Sequence, residues 1–358
     1  MSSSHVEVEE ARTRYESHFA RKIAFLGVVA LLLVILVLFS LGVGAVNFSL
    51  PETASALVGK GSALARTIIW NIRAPRVLTA ILVGSGLAVA GAALQSLLRN
   101  PLASPYTLGI SHAAAFGAAF SVVILGAGSS GGGEGNIVFN NPYITVLSAF
   151  SWSMVTVLII VALGRYKGSS PVTLILTGIA LGSLFTAGYT VMQYFADQTE
   201  LSSIVFWTFG DVGRTSWLQL AIIGVLVAPV ALYFVFRGWS FRAMSSGDET
   251  AKSLGVNPER LRLVGTLLSG LITALMVSFV GIIGFVGLVV PHIVRRFIGG
   301  EERYLMPASC LVGSLLLLGS DTAARTVVAP IVLPVGILTS FLGVPLFIYL
   351  VIRGKEYW

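Results

Sequence analysis

The chain has 358 residues, of which 55% are apolar and only 11% charged, with a mean hydropathy of +0.88. That leaves too little polar surface to clothe a water-soluble globule, so lipid is its principal solvent. The net charge of +7 would suit nucleic acid or anionic lipid, but the basic residues stand singly at the ends of apolar runs, as topology signals do.

In chain order, a charged segment (1–22) precedes an apolar run at 23–46. The run is too long for a signal-peptide core and has no A-x-A cleavage site, so it reads as a retained first span behind a cytoplasmic tail. Further runs fall at 77–98, 105–126, 143–163, 172–195, 216–236, 263–281, 283–298, 305–320 and 335–352, before a short tail at 353–358. The stretch 263–294 lacks Lys, Arg, Asp and Glu and is too long for one helix, so it divides near 281–284. Ten spans of about 20 residues make one transmembrane domain, 23–352, in an all-α polytopic membrane protein. Seventeen of the 23 Lys and Arg fall on the side of the termini and six on the other, which puts both termini in the cytoplasm.

The connection 126–142 is Gly-rich and free of Lys and Arg, which suits a flexible external loop. The widest cytoplasmic loop, 237–262, contains GDETAKSLGVNPERLR and predicts two short helices. Asp248 and Glu249 favour the first N-terminus, Gly255 ends it, and Asn257-Pro258-Glu259 opens the second. Cys310 is the sole cysteine, which excludes an intramolecular disulfide and a Cys-based zinc site. Gly84, Ala88, Gly91 and Gln95 share one face of the second span. Close helix packing explains such a face; a place along a translocation path or gate is the alternative. The turn Arg99-Asn100-Pro101-Leu102-Ala103-Ser104-Pro105 then sets two prolines before the third span.

The strings RAPR (73–76), AGAALQSLLRNPLASPYTLGIS (90–111), FWTFGDV (206–212), GDETAKSLGV (247–256), GIIGFVGLVVPHIVRRFIG (281–299), SDTAAR (320–325) and LPVGILTSFLGVPLFIYLV (333–351) occur in that order. Together they resemble the iron-siderophore, haem and cobalamin (vitamin B12) permease family, the transmembrane subunit of type II ABC importers. The resemblance implies ten transmembrane helices with an inverted repeat of spans 2–5 and 7–10, in the cytoplasmic membrane of a prokaryote. It implies a homodimer around a central path, two ABC ATPase subunits inside, and an external substrate-binding protein. The cargo would be a metal chelate, with ferric siderophore first and haem or cobalamin next. No cofactor is expected on this chain; ATP and Mg belong to the partner ATPase.

Residue by residue, GDETAKSLGV matches the family's coupling segment, which gives Asp248, Glu249, Lys252, Leu254 and Gly255 the transmission of the ATPase stroke. Arg73, Arg76 and Arg325 match outer arginines that meet acidic residues of the binding protein, a role that suits the guanidinium fork. The alternatives are interfacial anchoring of Arg73 and Arg76 and pairing of Arg325 with Asp321. Val332 stands where the family usually has Glu. His112 stands where a small residue or Asn is common, and is a path candidate or a packed neutral histidine. His292 belongs to the family pattern. Asp211 replaces a small residue near the outer mouth.

No G-x-x-x-x-G-K-[ST] phosphate cradle is present, so the chain is not itself an ATPase. A secondary transporter with inverted repeats is the alternative class, and it would normally bury carboxylates along its route. An intramembrane enzyme is a third, but Ser111 and His112 project about 100° apart on a helix, a poor dyad.

Overall fold

The computed structural model describes residues 2–127, 142–329 and 331–353, in which every regular element is helical. Helix α1 (Ser2–Gly42) runs unbroken from the charged segment through the first apolar run. The short α2 (Leu50–Leu57) and α3 (Ala63–Ile68) follow, and one π-helical turn leads into α4 (Ala74–Leu98). Then come α5 (Ile110–Val123), α6 (Pro142–Tyr166), α7 (Pro171–Phe195), the short α8 (Gln198–Thr208) and α9 (Trp217–Phe236). The rest of the chain forms α10 (Gly238–Ser245), α11 (Asp248–Ser253), α12 (Pro258–Val280), α13 (Val286–Ile298), α14 (Glu302–Thr326) and α15 (Val335–Arg353).

Local chemistry sets many of these starts. Ser49 with Glu52, Asp197 with Glu200 and Ser216 with Gln219 form capping boxes on α2, α8 and α9. Ser170-Pro171 and Asn257-Pro258 open α7 and α12 with a side-chain cap followed by proline at the first helical position.

Each of the ten expected runs carries one of α1, α4 to α7, α9 and α12 to α15. Among the described residues seven helical segments are long and apolar enough to cross a membrane, whereas α5 and the apolar part of α15 are shorter. The expected division of 263–294 is present: α12 ends at Val280 and α13 begins at Val286. Gly281 makes the break with φ +77°, and a Cβ there would overlap the Trp207 carbonyl. The eighth run, however, is not a full span. Helix α13 has 13 residues, about 20 Å of helix against a hydrocarbon core of about 30 Å, and irregular backbone makes up the rest.

Loop 237–262 also differs from expectation. Helix α10 precedes α11, and the expected second short helix is the first turns of α12, because nothing after Asn257-Pro258 interrupts the run to Val280. The expected external loop 126–142 lies outside the described residues from 128 to 141, as do 354–358 of the C-terminal tail.

Helix α4 is the centre of the assembly: 78% of its spanning window is buried, against 11% for α1 and 22% for α7, whose outer faces are exposed. The packing follows two interleaved sets. Helix α4 packs on α14 and α13, while α12, the corresponding first span of the second half, packs on α6 and α5. Each half lays its first span against the other half's short helix, in keeping with a repeat of spans 2–5 and 7–10.

Candidate functional site

A cavity of about 730 Å³ opens between α4, the α4–α5 turn, the end of α8, the α12–α13 break and α15. Leu87, Pro105, Phe285 and Ile337 give it an apolar wall; Ser104, Tyr106, Thr107, Ser111, Thr208, Thr273 and Ser340 supply hydroxyls, and among the described residues no Asp, Glu, Lys, Arg or His lines it. Phe285 enters the wall from a left-handed backbone conformation (φ 65°), and a Cβ at Gly343 would overlap its side chain. Among the described residues no cluster of three or more His, Cys, Asp or Glu could hold a metal ion. A molecule in this cavity therefore meets an apolar wall dotted with hydroxyls, the Tyr106 phenol among them.

The break and the 207–214 loop close one end of the cavity together. The Asp211 N–H donates to the Val280 carbonyl (2.7 Å) and Gly336 N–H to the Gly210 carbonyl (3.3 Å). Gly210 holds φ +68°, where a Cβ would strike the Ile282 carbonyl. The Asp211 carboxylate accepts from Gly213 N–H (2.8 Å) and faces Arg76 Nη2 at 3.2 Å. Arg214 bonds back to the carbonyls of Phe206 and Trp207; burial pushes its guanidinium below its ordinary value, opposed by Asp211.

Arg73, Arg76 and Arg325 are brought together beside this loop, but their forks point inward. Arg73, only 5% exposed, donates to the carbonyls of Leu41 (2.7 Å), Gly42 (2.8 Å) and Val46 at the end of α1. Arg76 Nε donates to Asp321 (2.9 Å), and Arg325 Nε donates to the same carboxylate (3.2 Å), which has no exposed surface. Arg325 also reaches Val43 O (3.0 Å) and Ser40. The Arg325–Asp321 pairing named from the sequence is thus present, and Arg76 joins it. Val332 is exposed, outside this network.

Gly84, Ala88 and Gly91 stand at helix crossings outside the cavity lining. A Cβ on Gly84 would overlap the Gly313 carbonyl of α14, one on Gly91 the Gly287 carbonyl of α13, and one on Gly313 would meet the Ala88 Cβ. Gln95 donates to Leu288 O (3.2 Å) and accepts from Arg295. On α5, Ser111 lines the cavity while His112, one residue on, turns toward Tyr106 (ring centroids 4.8 Å) and Gly182 of α7. Its Nδ1 is buried without a hydrogen-bond partner among the described residues. His292 Nε2 lies 2.9 Å from Pro101 O and so ties α13 to the α4–α5 turn.

At the other face, α11 presents Glu249, Lys252 and a half-exposed Leu254, with Gly255 (φ +78°) open to solvent beyond it. Asp248 at its start accepts from Arg99 (3.0 Å) and from Arg262 (2.8 Å). Lys252, Gly255 and Arg262 share a polar surface cavity of about 510 Å³ with Gly168 and Ser169. Arg262 is fully buried, and sequence reasoning had weighed it only as a topology charge. The available signal was its register: it falls on the face of α12 that carries Leu261, Gly265 and Thr266, which are buried with it.

The model of the FecCD transport family matches residues 32–353. Protein MJ0087 of Methanocaldococcus jannaschii, whose name places it with ABC transporter permeases, is 48% identical over 340 residues, 95% of this chain and 97% of the relative. The hemin transport system permease protein HmuU of Yersinia pestis is 38% identical over 337 residues, 92% of this chain and 96% of that one. A solved structure described as an inward-facing conformation of a transporter of the metal-chelate ABC type superposes with a TM-score of 0.80 at 32% identity, covering 92% of this chain and 98% of that chain. A bundle built around one buried central helix, a span broken at 281–285 and a family match over nearly the whole chain agree: this multi-pass membrane protein belongs to the FecCD transport family.

Proposed function

We propose that the chain is the permease subunit of an ATP-driven importer that carries a metal chelate inward across a prokaryotic cytoplasmic membrane, with both termini inside. The observation that carries this reading is the 730 Å³ cavity, lined among the described residues without Asp, Glu, Lys, Arg or His. A bare metal ion needs ligands to replace its hydration shell, whereas a preassembled chelate already has them and asks only for a roomy path of low affinity. Ferric siderophore is the first candidate, with haem and cobalamin next; relatives named for hemin, Fe(3+)-citrate and vitamin B12 transport support that range.

In this reading two copies of the chain flank the path, and two ABC ATPase subunits, which hold ATP and Mg, seat α11 through Asp248, Glu249, Lys252, Leu254 and Gly255. The external binding protein docks on the face that carries the 207–214 loop. Because Arg73, Arg76 and Arg325 are held by internal carbonyls and Asp321, they serve that face chiefly as its brace. Small crossings such as Gly84 against Gly313 let helices slide with little change in volume.

The test is co-purification with the cognate ATPase and binding protein, followed by uptake of a panel of metal chelates into proteoliposomes. ATP-dependent uptake of one chelate, stimulated by the binding protein, is expected. Uptake that follows an ion gradient without any ATPase would replace this reading with a secondary transporter.

A further inference from the structure

Arg262 is 2% exposed, although it stands in the second turn of α12, at the face where α11 lies. Its planar fork has three acceptors in three different connections. Nε donates to Leu97 O at the end of α4 (3.1 Å), Nη1 to Ser169 O in the α6–α7 turn (3.0 Å), and Nη2 to Asp248 Oδ1 at the start of α11 (2.8 Å). The same Asp248 oxygen accepts from Arg99, whose own backbone opens the α4–α5 turn in a left-handed conformation (φ 44°). That turn continues to Ser104, Pro105 and Thr107 in the cavity wall, and His292 holds it through Pro101 O.

A buried guanidinium is costly to desolvate and is tolerated only where its donors are met. The arginines near the start of α4 are held mainly by the enclosed Asp321 and by backbone carbonyls, with Arg76 alone also reaching the partly exposed Asp211. Here the acid is Asp248, whose side chain is 37% exposed and sits on the helix that displays Glu249, Lys252 and Leu254. The hub therefore has one end at the surface that α11 displays and the other at the cavity wall.

We propose that Arg262, acting through Asp248, is the positioning residue that transmits displacement of α11 to the α4–α5 turn at the cavity. The proposal rests on the reading of α11 as the ATPase-coupling helix. A lysine at 262 keeps the charge but lacks the fork and cannot satisfy three divergent acceptors.

The experiment measures chelate transported per ATP hydrolysed in proteoliposomes of the full complex, comparing wild type with Arg262→Lys, Asp248→Asn and Gly255→Val. A fall of about tenfold in that ratio for both Arg262→Lys and Asp248→Asn, the scale of one lost charge-assisted hydrogen bond, with the ATPase still co-purifying, is the expected result. Uptake and hydrolysis falling in step, with the ratio unchanged, would reduce Arg262 to a brace and overturn the proposal. If Gly255→Val uncouples while the other two do not, the coupling role of the loop stands and the role of Arg262 falls. If the wild-type chain retains no ATPase, both fall. Should Arg262→Lys fail to fold, Asp248→Asn, at a partly exposed site, decides alone.

Discussion

The molecule buries arginines at both ends of its central helix, and the two groups are built differently. Near the start of α4, Arg76 and Arg325 share Asp321, which is wholly enclosed, and Arg73 is held by three backbone carbonyls. Near the end of α4, Arg262 is equally buried but its acid, Asp248, stands partly in solvent on a short helix. The first arrangement centres on an enclosed carboxylate and backbone carbonyls, with Asp211 as its one partly exposed acid; the second rests on a single acid that stands partly in solvent, free to be moved from outside. Burial of an arginine is thus no guide to its role until the exposure of its acid is known.

The largest effect that tests this contrast is at Asp321. Asp321→Ala leaves the buried Arg325 guanidinium without a carboxylate and Arg76 with only Asp211, and is expected to cost about 3–5 kcal/mol, read as a loss of melting temperature in detergent. A cost near zero would mean the outer cluster is not closed. Next comes the crossing that holds the centre together. Gly91→Leu forces α4 away from the Gly287 carbonyl of α13, an overpacking worth about 1–3 kcal/mol, again measured by thermal unfolding.

Asp211 is expected to matter less to stability, because its side chain is 30% exposed and solvent screens its pairing with Arg76. Asp211→Asn should cost at most about 1 kcal/mol. A larger loss would make the 207–214 loop part of the closed outer network.

The smallest effect is a local titration. The backbone and side chain of Ser49 hold the Glu52 carboxyl below its ordinary value of 4.5. The capping box therefore strengthens α2 above that pH and is lost as pH falls through the lowered folded value. Amide exchange of Thr53 should accelerate across that acid window, and Ser49→Ala should abolish the dependence.

Much of the architecture was legible because its cause is local. Each apolar run made a helix, and the charge-free stretch 263–294 was divisible at its glycines, since only there does the backbone gain left-handed freedom. The α11 start was readable from Asp248 and Glu249, and its end from Gly255. The shortness of α13 was not, because residues 283–285 are as apolar as the helix that follows. At the break, Gly281 and Ile282 lie against the backbone of Trp207 and Gly210, far away in the chain. Candidate residues fared unevenly for the same reason. Gly84, Ala88 and Gly91 were recognisable as a small face, but only packing decided that the face meets α13 and α14 and that Leu87, between them, turns to the cavity.

Composition and periodicity alone determined that this is a polytopic helical membrane protein, because hydropathy and charge spacing are properties of the chain itself. Tertiary structure alone decided where each charge ends. Whether Arg73 meets carbonyls of α1 or a partner's carboxylate, and whether Arg262 is a topology signal or a hub of three connections, depends on residues tens to hundreds of positions away. A guanidinium has several donors to satisfy, and only the folded chain determines which acceptors come within reach.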